Sequence, residues 1–179
     1  FRSKGGTTNA ISVIDADLRT EPLIVFDLSV GSPLLSGDAE ENSEPKLTER
    51  LFSLMKAANV KVGVGRYDEA RMLYVTPLFD ADSATAERRT VHLGIDLFVE
   101  AGSAVYAPLA GEVHAFNNNA APLDYGPVII LKHQTGEQEF FTLYGHLSED
   151  SIDSLRVGQK FAAGQLLASV GAPPTNGNW

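Results

Sequence analysis

The chain has 179 residues, a net charge of −9 from 14 Lys and Arg against 23 Asp and Glu, four histidines and no cysteine; that length suits one domain, or one with an appendage, able to bury a core of its own. Without cysteine there are no disulfides, thiolate metal sites or cysteine nucleophiles, so a metal would have to use His, Asp, Glu or water. The acidic balance argues against nucleic acid and anionic membranes as partners, no apolar run approaches the ~20 residues of a membrane span, and no signal-peptide pattern opens the chain.

Residues 1–9 read as a flexible lead-in, and 11–14 and 23–28 as strands, with Val25 and Phe26 typical β formers. Ser36 to Glu44 reads as a solvated acidic loop carrying Glu40, Glu41 and Glu44. A helix is predicted over 44–59. Ser43 is placed to cap it and Pro45 suits its first turn, while Leu47, Leu51, Met55 and Ala58 fall on one face with Leu54 beside them. Strands are expected at 60–64, broken by Gly63 and Gly65, and at 73–76, ended by Pro77.

Composition shifts at Asp80-Ala81-Asp82-Ser83-Ala84, and short strands follow at near-regular spacing: 91–99, 104–106, 112–116, 128–132, 140–146 and 165–170. Asn117-Asn118-Asn119-Ala120 reads as a loop tip, and Ser148-Glu149-Asp150-Ser151 as the cap of a short helical turn. The expected architecture is mainly β: an antiparallel β sandwich or barrel over 82–179, behind an α+β segment over 1–81. Phe1 in place of Met, and Trp179 directly after a Pro-Pro and Asn-Gly-Asn run, read as internal positions of a longer protein.

His92-Leu93-Gly94-Ile95-Asp96 is the sharpest local motif. On an extended strand its ends lie about 13 Å apart, too far to share an ion. On a helix they would share a face, but Gly94 and the β-branched surroundings argue against a helix. Gly94 also permits a bend that swings His92 and Asp96 together. The plain alternative is a strand entering a turn, with His92 exposed and Asp96 bonded to nearby backbone. Among the other histidines, His114 reads as an exposed strand position opposite Val113, and His133 as a turn residue before Gln134-Thr135-Gly136. His146 shares parity with Phe140, Thr142 and Tyr144, as a structural histidine would. Arg88 and Arg89 are placed either to contact a substrate carboxylate or to sit on the surface.

Taken in order, the HxGxD of 92–96, Tyr106-Ala107-Pro108-Leu109-Ala110-Gly111, Tyr144-Gly145-His146-Leu147-Ser148, the run from Val157-Gly158-Gln159 to Gly164-Gln165, and Val170-Gly171 form a specific combination. Over residues 87–179 the chain resembles peptidase family M23, the lysostaphin- and LytM-type zinc metallopeptidases. The resemblance implies a zinc hydrolase acting on a peptide-like substrate, with His92 and Asp96 as metal ligands and His146 as a catalytic histidine. It also implies a distal HxH motif supplying a further ligand. The histidines here are His92, His114, His133 and His146, and no two are spaced as HxH. Zinc is therefore expected to be held weakly or not at all by this chain, which is expected to be inactive on its own and truncated at the C-terminal end of the domain.

Two other classes compete. Glycine-turn hairpins also resemble lipoyl and biotinyl carrier domains, but the Met55-Lys56 pair falls on the predicted helix rather than at a hairpin tip. The stretches Gly65-Arg66-Tyr67-Asp68-Glu69-Ala70-Arg71 and Ala121-Pro122-Leu123-Asp124-Tyr125-Gly126-Pro127 resemble the module embedded in class III aminotransferase fusion proteins. That resemblance implies flanking kinase-like and pyridoxal-phosphate aminotransferase domains as partners, a cytoplasmic setting, and a module that cleaves, binds substrate or merely spaces its neighbours.

Overall fold

Backbone pairing in the first half of the chain centres on the short strand Gly63–Gly65, whose two glycines leave room for side chains from its neighbours. A computed structural model describes residues 11–71, 90–121 and 124–177. Packing divides the chain into two units, one of Thr20–Val99 and one of Phe1–Arg19 with Glu100–Trp179.

In the Thr20–Val99 unit, β1 (Ile24–Phe26), α1 (Lys46–Ala57), β2 (Gly63–Gly65), β3 (Glu69–Ala70), β4 (Val91–His92) and β5 (Asp96–Phe98) follow in order. A three-stranded sheet has the order β1-β2-β5, and β3 pairs with β4. β1 and β2 are parallel, which requires the crossover that α1 supplies; β2 and β5 are antiparallel. α1 buries Leu47, Leu51 and Met55 at the predicted spacing, while Ala58 at its end is exposed. Ser43 does not cap it: its hydroxyl bonds Glu40 O, closing a 3-10 turn at Ala39–Asn42 inside the predicted acidic loop. Gly63 and Gly65 do not break β2 but belong to it. A Cβ at Gly63 would collide with the Phe26 ring and crowd Met55, and Phe26 in turn packs edge-on against Phe98 at 5.7 Å.

The other unit contains β6 (Ala104–Tyr106), β7 (Gly111–Asn119), β8 (Gly126–Thr135), β9 (Gln138–Tyr144), α2 (Asp150–Asp153), β10 (Lys160–Phe161) and β11 (Leu166–Ser169). Its four-stranded sheet has the order β10-β7-β8-β9, antiparallel throughout, and β11 pairs antiparallel with β6. Alternation along β8 sends Ile129, Leu131 and His133 inward, and the two aliphatics join Val105, Val113, Leu147, Phe161 and Leu167 in one core. The described residues are thus mainly β, in several antiparallel sheets, with few helices. No helix among them is long and apolar enough to cross a membrane.

Residues 11–14 do not form the expected strand; they contribute a single bridge from Ile14 to Val105. Asn117, Asn118 and Asn119 are not a loop tip, because β7 runs through them to pair with β8. The expected strand at 73–76, the composition shift at 80–84, and Arg88 and Arg89 lie outside the described residues. Replacing Ile129 by Ala should cost about 2–5 kcal/mol in urea denaturation, as expected for emptying a fully buried site. Glu137→Ala at an exposed turn should stay within about 0.5 kcal/mol of wild type.

Candidate metal centre

β4 and β5 are separated by a bend at Gly94. The His92 ring folds back over that glycine, where a Cβ would lie 2.9 Å from His92 Nε2. The bend brings His92 Nε2 within 3.4 Å of Asp96 Oδ1, with side chains 17% and 25% exposed. A tetrahedral ion with bonds of about 2.0–2.1 Å holds its ligand atoms about 3.4 Å apart. One nitrogen and one carboxylate oxygen at that separation suit zinc as two of its ligands. Among the described residues, no group of three or more His, Cys, Asp or Glu gathers where it could hold an ion.

The strands behind this pair fix it in register. Asp96 stands opposite Gly65 and His92 opposite Glu69. Arg71 Nη2 lies 2.5 Å from Asp96 Oδ2, and Arg71 Nε donates to Glu69 Oε2 at 3.0 Å. Glu69 Oε1 also accepts from the Leu28 backbone N–H and from Arg66 Nε, both at 3.0 Å. Arg66 reaches on to Asp27, whose carboxyl is held below its ordinary value chiefly by hydrogen bonds from Ser29. The Arg71 and Glu69 side chains are 3% and 2% exposed.

Burial pushes the His92 imidazole below its ordinary value, and the Arg71 charge pushes the same way; Asp96, a hydrogen bond to the Arg66 backbone and Glu69 oppose them. The ring is therefore biased to the neutral form, the one that ligates metal.

His146 lies in the other unit, beyond the end of β9 rather than within it, with a left-handed φ of 58°. That conformation is uncommon outside glycine and is held by local bonds. Its N–H donates to Tyr125 O at 2.7 Å, its carbonyl accepts from Gly171 N at 2.9 Å, and Nδ1 lies 2.8 Å from Asn176 O. Facing a carbonyl, Nδ1 must carry the proton, which leaves the lone pair of the neutral ring on Nε2. Tyr125 lies against the ring at 5.8 Å.

His133 is not a turn residue. It is 1% exposed within β8, with Nδ1 donating to Ala110 O at 2.9 Å and Nε2 2.7 Å from Thr142 Oγ1. Its ring stacks on Phe140 at 5.0 Å. His114 is exposed on β7 as expected, beside Phe141. Glu69 and Arg71 had a signal in the sequence: two opposite charges two residues apart share one face of a strand.

Gly65→Ala should place a Cβ 2.5 Å from Asp96 Oδ2 and 3.0 Å from Arg71 Nη2. The expected cost is about 1–3 kcal/mol by chemical denaturation. Gly37→Ala, where nothing lies within 4 Å, is the near-neutral control. The metal-free protein should also lose stability as the pH falls below about 6.5, because the unfolded chain then protonates His92 more readily than the folded one does. His92→Gln should remove that component when denaturation midpoints at neutral and mildly acidic pH are compared.

Residues 90–178 match peptidase family M23. No curated protein matches the sequence. A crystal structure assigned to peptidase M23 from Pseudomonas aeruginosa aligns with a TM-score of 0.37 and 24% identity. The alignment covers 77% of this chain, which spans 52% of that one. Over residues 90–178 the chain carries a peptidase family M23 domain.

Proposed function

We propose that this domain is a zinc-dependent hydrolase of peptide or amide bonds, with His92 and Asp96 as two metal ligands and His146 as a catalytic histidine. The observation that carries the reading is the 3.4 Å approach of His92 Nε2 to Asp96 Oδ1 across the Gly94 bend, inside the segment that matches a peptidase family. Bound zinc would supply a Lewis acid and lower the pKa of a water to about 7.

The chain's own groups support the remaining steps. His92 offers a neutral imidazole and Asp96 one negative charge. At His146, the Asn176 carbonyl holds the proton on Nδ1. On this reading His146 would exchange a proton through Nε2, the nitrogen that carries the lone pair of the neutral ring. The ring is oriented by Asn176 and held beside Tyr125.

A further ligand is not supplied by an HxH motif within these 179 residues. His133 is occupied by Ala110 and Thr142, and His114 stands on an exposed strand position. That count favours a second reading: a non-catalytic, substrate-binding or spacer module between kinase-like and class III aminotransferase domains, in a cytoplasmic fusion protein.

The 179-residue protein should bind zinc weakly, with His92→Ala and Asp96→Ala each lowering the affinity further, and peptidase and amidase assays with and without added zinc test the hydrolase reading. Zinc-dependent hydrolysis that is lost in Asp96→Ala would decide for the hydrolase. A folded protein with no metal-dependent hydrolysis would decide for the non-catalytic module.

A further inference from the structure

We propose that Arg71, itself fixed by Glu69, is a positioning residue for the carboxylate of Asp96. It takes Oδ2 and thereby presents Oδ1 toward His92. The inference rests on the metal reading above and names the residues that prepare the ligand pair.

A carboxylate on a short side chain rotates about two bonds, so its two oxygens are interchangeable unless something distinguishes them. Here something does: Arg71 Nη2 sits 2.5 Å from Oδ2, while Oδ1 faces His92 Nε2 at 3.4 Å. Arginine is a long side chain with much rotamer freedom to lose, and it orients a partner only if it is itself held. Glu69 holds it through Nε, and its own backbone N–H is tied to Thr90 O at 2.9 Å. Glu69 is anchored in turn by Leu28 and Arg66. Every member is fixed by a group outside the ligand pair.

The backbone is cut to fit this contact. Asp96 pairs across the sheet with Gly65, and any side chain there would take the space in which Arg71 Nη2 meets Oδ2. His92 pairs across from Glu69, so one short segment supports both arms of the bend. The charges are also arranged for this use. Glu69 shares the Arg71 guanidinium with Asp96 and so offsets part of its charge beside the ligand pair. A buried ion pair is weak support for stability by itself, and a role in orientation gives a reason for its presence.

The test is a direct titration of zinc into the protein followed by calorimetry, which reads weak affinities. It compares wild type with R71M, R71K, E69Q, H92A and D96A, with folding checked by circular dichroism and cobalt(II) absorption as a second readout. Crystal structures of the metal-free wild type and R71M accompany it. R71M should lose about 10–100-fold in zinc affinity, the usual cost of removing an outer-shell partner. R71K should fall between, since an ammonium lacks the fork that reaches both carboxylates. In metal-free R71M crystals, Asp96 Oδ1 should leave its approach to His92.

Wild-type zinc affinity in a folded R71M, with H92A and D96A both weakened, would overturn the inference and leave the metal reading standing. Zinc binding indifferent to both H92A and D96A would overturn the metal reading and the inference with it. If R71M does not fold, R71K and E69Q decide: wild-type affinity in both overturns the proposal, and loss in both supports it.

Discussion

A guanidinium almost sealed from water, set between two carboxylates, constrains everything around it in the Thr20–Val99 unit. Taking such charges out of water costs several kcal/mol per ion, and only close, well-directed hydrogen bonds offset that. The Arg71 bonds to Glu69 and Asp96 exist only if β2–β5 and β3–β4 keep their registers. A slip of one residue in either pair would turn Asp96 or Glu69 to the opposite face and leave Arg71 buried without its partners. Short strands hold register weakly on their own, so the charge array specifies what three or two residues of ladder cannot. The parallel β1–β2 pair and the helix that joins them then supply the apolar support, through Phe26, Met55 and Phe98.

The third candidate residue depends on different physics. His146 is positioned by backbone, in a left-handed turn tied to Tyr125, Gly171 and Asn176. Gly126 and Gly171 let those segments approach, since a Cβ at either would fall within 3 Å of Asn176. The sheet beneath carries its own core around Ile129, Leu131 and Val113, with His133 as a buried polar strut. Each unit thus holds its own candidate residues with its own packing. A substitution in one core is expected to act on that unit's residues first.

The HxGxD bend was legible because glycine is the residue that resolves the conflict between strand spacing and shared coordination. α1 was legible because Leu47, Leu51 and Met55 recur at helical period. Gly63 and Gly65 were misread as breakers because what requires them is a side chain on a neighbouring strand, Phe26 for one and Asp96 for the other. His133 was misread because a His before Gln-Thr-Gly has turn-like neighbours, while its inward parity with Ile129 and Leu131 emerges only once β8 is known to run to Thr135. The Glu69–Arg71 pair shows its spacing in the sequence but not its purpose. Its partner Asp96 lies 25 residues from Arg71, and no local pattern announces that contact.

The same guanidinium bears on competition between a proton and a metal at His92. A histidine 3.4 Å from a carboxylate would ordinarily gain basicity, and a proton would then occupy the nitrogen that a metal needs. Here burial outweighs the attraction of Asp96, and the Arg71 charge adds to burial. By holding Asp96 Oδ2, Arg71 leaves one oxygen facing the ring; by its charge, it disfavours the imidazolium that this oxygen would otherwise stabilise. The two effects have one geometric origin: Arg71 aligns Asp96 Oδ1 with the ring and biases His92 toward the neutral form that a metal would need. Among the described residues no third His, Asp or Glu joins the pair, and two donors, however well aligned, offer a dication only part of the coordination that a closed or catalytic zinc site provides.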